Sequence, residues 1–187
     1  MLATSRVRPK PVPVLAQRID RLTAAIGKAA AWLALVIVVL QFVLVVARYL
    51  FSLGSIWLSE TVVYAHAGLF LLAAAWTLQA GGHVRVDVFY SQASERTKAL
   101  IDLIGALVLL LPFALVLIWL SVPYAVRSWA VLERSQEASG LPLVYMLKTL
   151  IPAFALLMAL QGVAQAMRAA AVLRAPARMR RKRKRRG

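Results

Sequence analysis

Four long stretches without a formally charged residue constrain this chain more than any other feature. They cover residues 29–47, 61–80, 103–126 and 149–167, and each is 19 to 24 residues long. A helix of about 20 mostly apolar residues crosses the ~30 Å hydrocarbon core of a bilayer. Lipid offers the backbone no hydrogen-bond partner, so each stretch must form a helix, and none shows the alternation of a barrel strand. The sequence predicts an all-α polytopic membrane protein with four transmembrane helices.

The composition agrees with this class. Hydrophobic residues make up 61% of the 187 residues and charged residues only 16%, whereas about 25% charged is usual in soluble domains. The chain has no cysteine. A disulfide scaffold, thiol catalysis and thiolate metal ligands are therefore excluded.

The distribution of charge divides the chain into three parts. Residues 1–28 form a basic N-terminal segment, residues 29–173 a four-span membrane domain, and residues 174–187 a basic tail. The N-terminal segment is too long for the n-region of a signal peptide, so we expect an uncleaved anchor. Between residues 14 and 28, apolar residues recur at helical spacing: Leu15, Ile19, Leu22 and Ile26. This pattern predicts a short amphipathic helix lying at the membrane interface before the first span.

Lysine and arginine are concentrated on one predicted side of the membrane. The two termini and the segment between spans two and three carry 19 of them, and the other side carries 4. Because cytoplasmic flanks carry the excess of basic residues, we expect both termini to be cytoplasmic. The run at residues 178–186 lies close to a span and has no aromatic residue for base stacking, so we expect contact with anionic lipids and no binding of nucleic acid.

Glu60 opens the second span, close behind Trp57. Two interpretations remain open for this carboxylate. It can be an acidic residue favoured by the positive end of the helix dipole, with Trp57 as an interfacial anchor. Alternatively, it can be a buried contact to a partner subunit, because ionisable groups near membrane depth are usually functional.

The fourth span carries a stripe of small residues on one helix face: Ala155, Ala159, Gly162 and Ala166. Small residues let two helices approach closely, either within the subunit or against another protein. Gln161 and Gln165 flank the stripe and can form hydrogen bonds across a helix pair.

The two histidines are candidates for cofactor chemistry. His66 and His83 lie too far apart on a continuous helix to bind one haem or one metal ion, and the sequence contains no catalytic set of nucleophile, acid and base. We therefore expect no cofactor, no metal site and no enzyme activity. His83, Arg85 and Asp87 share one side of an extended strip, which fits either an interface or a solvated loop.

Taken together, the residues between about 48 and 168 resemble the small membrane subunit, DctQ-like, of the tripartite ATP-independent periplasmic (TRAP) transporters. The segment Gly82-His83-Val84-Arg85-Val86-Asp87 is the most specific part of the resemblance. It is supported by Trp57-Leu58-Ser59-Glu60, by Glu133-Arg134-Ser135 and Gly140-Leu141-Pro142, and by Lys148 before span four.

The resemblance implies a non-catalytic scaffold subunit of a sodium-coupled importer in a bacterial inner membrane. A DctP-like periplasmic binding protein would deliver an organic acid or related solute, and a DctM-like large subunit would carry it. The expected contacts with the large subunit are Trp57, Glu60 and the stripe of small residues. His83, Arg85 and Asp87 would organise the cytoplasmic interface. The expected docking residues for the binding protein are Arg127, Glu133, Arg134, Glu137 and Lys148.

Two other functions are compatible with the residues alone. The first is a haem- or quinone-linked electron-transfer subunit that uses His66 or His83, which a haem absorbance band would reveal. The second is a self-sufficient small channel assembled as an oligomer, which conductance of liposomes containing only this chain would reveal.

Overall fold

The computed structural model describes residues 13–83, 90 and 92–174. These residues form four long helices: α1 (Val14–Phe51), α2 (Ile56–Gln79), α3 (Glu95–Ala130) and α4 (Val144–Arg174). Each helix is long and apolar enough to cross a membrane, and the described residues contain no strand. The prediction of an all-α protein with four membrane spans is confirmed.

Short polar residues set the limits of the helices. The side chain of Ser55 accepts a hydrogen bond from the backbone N–H of Leu58 at 3.3 Å, which caps α2. The hydroxyl of Ser94 caps α3 in the same way. These oxygens satisfy N–H groups that have no partner within the first turn of a helix. At the other end of α1, Ser52 adopts a left-handed conformation that stops the helix before α2 begins.

Helix α1 continues without a break through residue 28, where the predicted interfacial helix meets the first span. The sequence has no proline or pair of glycines there to interrupt the backbone hydrogen bonds. At 1.5 Å per residue, its 38 residues extend over about 57 Å, well beyond one hydrocarbon thickness. The segment 14–28 is thus part of a longer helix, and its position at the membrane interface remains a prediction.

Helix α3 contains a π-helical stretch, Gly105–Leu110, which ends two residues before Pro112. Proline lacks an N–H group, so the carbonyl four residues earlier loses its usual helical partner. A π-helical stretch is one of the ways in which a helix accommodates such a disturbance. The helices continue through Pro112, Pro123 and Pro152.

Helix α4 is the centre of the bundle because it contacts each of the other three helices. In its most apolar window 39% of the residues are buried inside the protein, against 11% in each of the other helices. The core consists of Ala75 of α2, Ala114 of α3, and Leu157 and Met158 of α4. The remaining apolar surface of α1 and α3 faces outward, as expected for helices surrounded by lipid or by another membrane subunit.

The bundle has two ends, the Glu60 end and the Asp20 end. At the Glu60 end, α1 connects to α2, and the loop of residues 131–143 connects α3 to α4. At the Asp20 end lie the start of α1, the end of α2, the start of α3 and the end of α4.

Candidate functional site

The carboxylate of Glu60 holds the loop 131–143 against the start of α2. One of its oxygens accepts a hydrogen bond from the hydroxyl of Ser135, and the other accepts one from the backbone N–H of Leu141 at 2.5 Å. Hydrogen bonds to an ionised acceptor are about twice as strong as bonds between neutral groups. Through these two hydrogen bonds, Glu60 connects two points of the loop, six residues apart, to a single position on α2.

The loop also closes on itself around these two points. The backbone N–H of Ser135 donates to the carbonyl oxygen of Leu141 at 3.1 Å, and that of Gly140 donates to Glu137 at 2.9 Å. A side chain at Gly140 would not fit, because its Cβ would lie 2.8 Å from a Glu60 carboxylate oxygen and closer still to Ser135. The glycine thus allows the loop to lie close to the carboxylate.

A second attachment joins the loop to the start of α4. The ammonium group of Lys148 lies 2.5 Å from a carboxylate oxygen of Glu133 and 4.2 Å from the centre of the Tyr124 ring. The hydrogen bond from Lys148 lowers the pKa of Glu133, because it favours the ionised carboxylate. Helices α3 and α4 are further joined where the indole N–H of Trp129 donates to the hydroxyl of Thr149 at 2.8 Å.

The five expected docking residues fall into two groups. Glu133 and Lys148 form an ion pair, so each of these charges is largely neutralised within the chain. The side chains of Arg127, Arg134 and Glu137 are exposed on the surface of the Glu60 end. Arg127 also donates to the backbone carbonyl of Pro123 at 3.2 Å. The structure therefore brings the five residues to one end of the bundle and leaves three of them exposed.

The expected large-subunit contacts are placed very differently from one another. Trp57 is about half exposed at the Glu60 end, whereas Glu60 is occupied by the loop of its own chain. Within the stripe, Ala155 is fully buried, Gly162 and Ala166 are buried and Ala159 is partly buried. Gly162 faces Leu110 and Leu111 of α3, where an added Cβ would come within 3.1 Å. This geometry favours packing within the subunit over contact with a partner.

A polar network at the Asp20 end connects α1 with α4, and it reaches α2 where the hydroxyl of Thr23 lies 3.4 Å from the amide oxygen of Gln79. Arg168 donates to both carboxylate oxygens of Asp20 at 2.6 and 2.8 Å, and the amide of Gln161 donates to the same carboxylate at 3.2 Å. Gln161 is completely buried, and its amide oxygen lies 3.2 Å from the hydroxyl of Thr23. The expected cross-helix hydrogen bonding of Gln161 is confirmed.

The role of Asp20 is a feature that the sequence interpretation missed. Asp20 is the one acidic residue among the first 59, and Arg168 is the first charged residue after span four. Their pairing across 148 residues of chain brings the segment before span one onto the end of α4. The isolation of Asp20 within a basic segment was the one sign in the sequence that this residue has a basic partner.

The histidines lie apart in the structure. His66 is exposed on α2, and His83 is exposed beyond the end of that helix. Among the described residues, no group of three or more histidine, cysteine or acidic side chains could hold a metal ion. Arg85 and Asp87 of the expected cytoplasmic motif lie outside the described residues.

These features define a class: a four-helix membrane protein whose charged groups gather at the two ends of an apolar bundle. Comparison with protein families shows which family of membrane proteins this chain belongs to. The family described as "Tripartite ATP-independent periplasmic transporters, DctQ component" matches residues 35–172. The chain belongs to this family and is the small membrane subunit of a TRAP transporter. It is therefore a protein of the inner membrane. Neither the curated proteins nor the solved structures include a significant match.

Proposed function

We propose that this chain is the non-catalytic scaffold subunit of a sodium-coupled importer. In this proposal a DctP-like periplasmic protein captures an organic acid or related small solute, and the DctM-like large subunit transports it. The main supporting observation is that residues 29–47, 61–80, 103–126 and 149–167 contain no charged side chain. A path for a carboxylate and sodium across the membrane normally requires charged or strongly polar groups at depth, so the transport site belongs to another subunit.

We further propose that both termini are cytoplasmic and that the Glu60 end faces the periplasm. The excess of lysine and arginine at the termini supports this orientation. It would expose Arg127, Arg134 and Glu137 to a soluble periplasmic partner, with Glu133 and Lys148 shaping the surface beneath them. At the opposite face, the basic residues 178–186 would bind anionic lipid headgroups, since each cation near such a surface contributes about 1 kcal/mol.

Contact with the large subunit is proposed for the outward apolar surface of α1 together with Trp57. Beyond Ala30, α1 buries only Leu44 within the described part of the chain, while Trp32 and Phe42 are about 70% exposed. A second multi-span subunit could cover such a surface by close packing of side chains. His83, with Arg85 and Asp87, is proposed to contact the large subunit on the cytoplasmic side.

Co-purification tests the scaffold role. The chain is expressed with an affinity tag together with the large permease subunit encoded beside it, and the complex is isolated in mild detergent. We expect the two subunits to elute together from a sizing column, and a Trp32→Ala/Phe42→Ala variant to retain less of the large subunit. A matched variant at exposed positions of α3, Leu109→Ala/Trp119→Ala, controls for the general loss of apolar surface. Purification of the chain alone, with the large subunit present in the same membrane, would contradict the proposal.

Labelling tests the orientation. Because the chain has no cysteine, single cysteines can be introduced at Gln136 in the loop and at Gly187 in the tail. A membrane-impermeant maleimide added to intact spheroplasts is expected to label position 136 and to leave position 187 unlabelled until the membrane is broken. The reverse pattern would refute the proposed orientation.

A further inference from the structure

We infer that Glu60 is a positioning residue, which holds the loop 131–143 in the conformation that a periplasmic binding protein recognises. The inference rests on the proposed function, because it takes this loop as part of the docking surface. It assigns Glu60 a role that differs from direct contact with either partner. The geometry that supports it is the attachment of one carboxylate to two separate points of the loop.

Glu60 attaches the loop at two points that lie on either side of an exposed segment. Ser135 and Leu141 stand on either side of residues 136–140, and both bind the same carboxylate. The backbone bond between Ser135 and Leu141 closes this segment at its base. The enclosed segment contains Glu137 and exposed polar or small side chains, while Arg134 lies just before it. Residues that a soluble partner can reach are thus presented on a short loop with a fixed base.

Among the described residues, the hydrogen bonds that join residues 135–141 to another element of the chain all end on Glu60. Ser135 and Leu141 are joined by hydrogen bonds to each other and to Glu60, and the next attachment in the described chain is the ion pair of Glu133 with Lys148. That pair fixes the start of the loop and leaves residues 136–140 dependent on Glu60. Loss of the carboxylate would also leave the N–H of Leu141, a buried residue, without its charged acceptor.

The mobility of the loop affects the free energy of binding a partner. A partner that docks on a mobile loop must order it, and each immobilised side chain lowers the affinity. A loop that is already fixed avoids this cost. Removal of the Glu60 carboxylate should therefore weaken docking by about tenfold, the effect of ordering one or two side chains, without changing any group that the partner contacts.

The first experiment measures the loop directly. A spin label is attached to a single cysteine at Gln136 in the complex of this chain with the large subunit, and its electron paramagnetic resonance spectrum is recorded in liposomes. We expect Glu60→Ala to sharpen the spectrum toward a mobile label. Glu60→Gln should keep a broad spectrum, because the amide can still accept from Leu141 and donate to Ser135. An unchanged spectrum in Glu60→Ala would overturn the inference.

Two further variants keep this test informative if Glu60→Ala does not fold. Ser135→Ala removes one of the two attachments from the side of the loop, and we expect a smaller increase in mobility. Ser59→Ala is the matched control on α2, because the Ser59 hydroxyl donates to the backbone carbonyl of Ser55, the residue that caps this helix, at 2.9 Å. A mobility in Ser135→Ala equal to that in the control would also overturn the inference.

The second experiment measures docking. Sodium-driven uptake by the reconstituted complex is recorded as a function of the concentration of loaded binding protein. We expect Glu60→Ala to raise the half-saturating concentration about tenfold with an unchanged maximal rate, and Glu60→Gln to restore most of the affinity. A purely structural defect would instead lower the maximal rate through loss of assembled complex.

Arg134→Ala separates this inference from the proposed function. If Arg134→Ala raises the half-saturating concentration and Glu60→Ala leaves it unchanged, the docking surface stands and the positioning role of Glu60 is wrong. If neither variant changes it, the loop is not the docking surface, and both the docking proposal and this inference fail.

Discussion

Replacement of Gly27 by alanine tests the packing of α1 against α2. Gly27 is buried where α1 crosses the side chain of Trp76. A methyl group at this position would lie 2.9 Å from both Cγ and Cε3 of the indole and closer still to its Cβ. Carbon atoms prefer separations of about 3.5 to 4.0 Å. The Trp76 Cβ moves only with its backbone, so the two helices must separate.

The size of the effect follows from two opposing contributions. Overpacking of a tight contact costs about 1 to 3 kcal/mol, while alanine is favoured over glycine in a helix by about 1 kcal/mol. Gly105→Ala provides the matched control, since it lies within α3 and its added Cβ would have no neighbour within 4 Å. The difference between the two variants therefore isolates the steric contribution, which we expect to be about 2 to 3 kcal/mol.

The assay is thermal denaturation in detergent, followed by the fraction of protein that still elutes at the folded position on a sizing column. At roughly 2 to 4 °C per kcal/mol for a chain of this size, Gly27→Ala should melt about 4 to 12 °C below Gly105→Ala. Equal melting temperatures for the two variants would refute the close approach of α1 and Trp76.

Three other variants test single contacts by the same denaturation assay. Asp20→Asn should destabilise the protein by about 1 to 3 kcal/mol, because Arg168 loses its ionised partner, and stability equal to wild type would contradict the network. The destabilisation caused by Lys148→Met should be complete above the ordinary carboxyl pKa of about 4.3 and should disappear in the range between that value and the lowered pKa of Glu133, because the carboxylate becomes protonated there. A difference from wild type that persists below this range would show that charge pairing is not its cause. Trp129→Phe should cost about 1 kcal/mol, because it removes the hydrogen bond of the indole N–H and keeps an aromatic ring at this position; no change would count against that bond.

The four spans could be predicted from the sequence because the requirement is local. A stretch such as 103–126 must satisfy its own backbone in lipid whatever its neighbours are. The helical face of Ala155, Gly162 and Ala166 was predictable for the same reason, since periodicity places these residues together. The helix that these residues contact could not be predicted, because small residues permit close approach to any partner.

The polar attachments at both ends depend on pairs far apart in the sequence. Asp20 and Arg168 are separated by 148 residues, and Glu60 and Leu141 by 81. The position of Asp20 or Glu60 in the sequence does not identify the partner of that residue. Two interpretations of Glu60 therefore remained open at the level of the sequence. Its actual contact, with the loop of its own chain, differs from both. The continuity of α1 was missed for another reason: a shift from amphipathic to fully apolar pattern marks a change of environment and does not require a break in the helix.

The central claim is that this chain supports transport without carrying the solute. Sodium-gradient-driven uptake into proteoliposomes tests it most directly, with four preparations: this chain alone, this chain with the binding protein, the large subunit with the binding protein, and all three proteins together. We expect no uptake by this chain alone with or without the binding protein, and full uptake only in the complete assembly. Solute uptake or solute-dependent current in vesicles that contain this chain alone would contradict the claim.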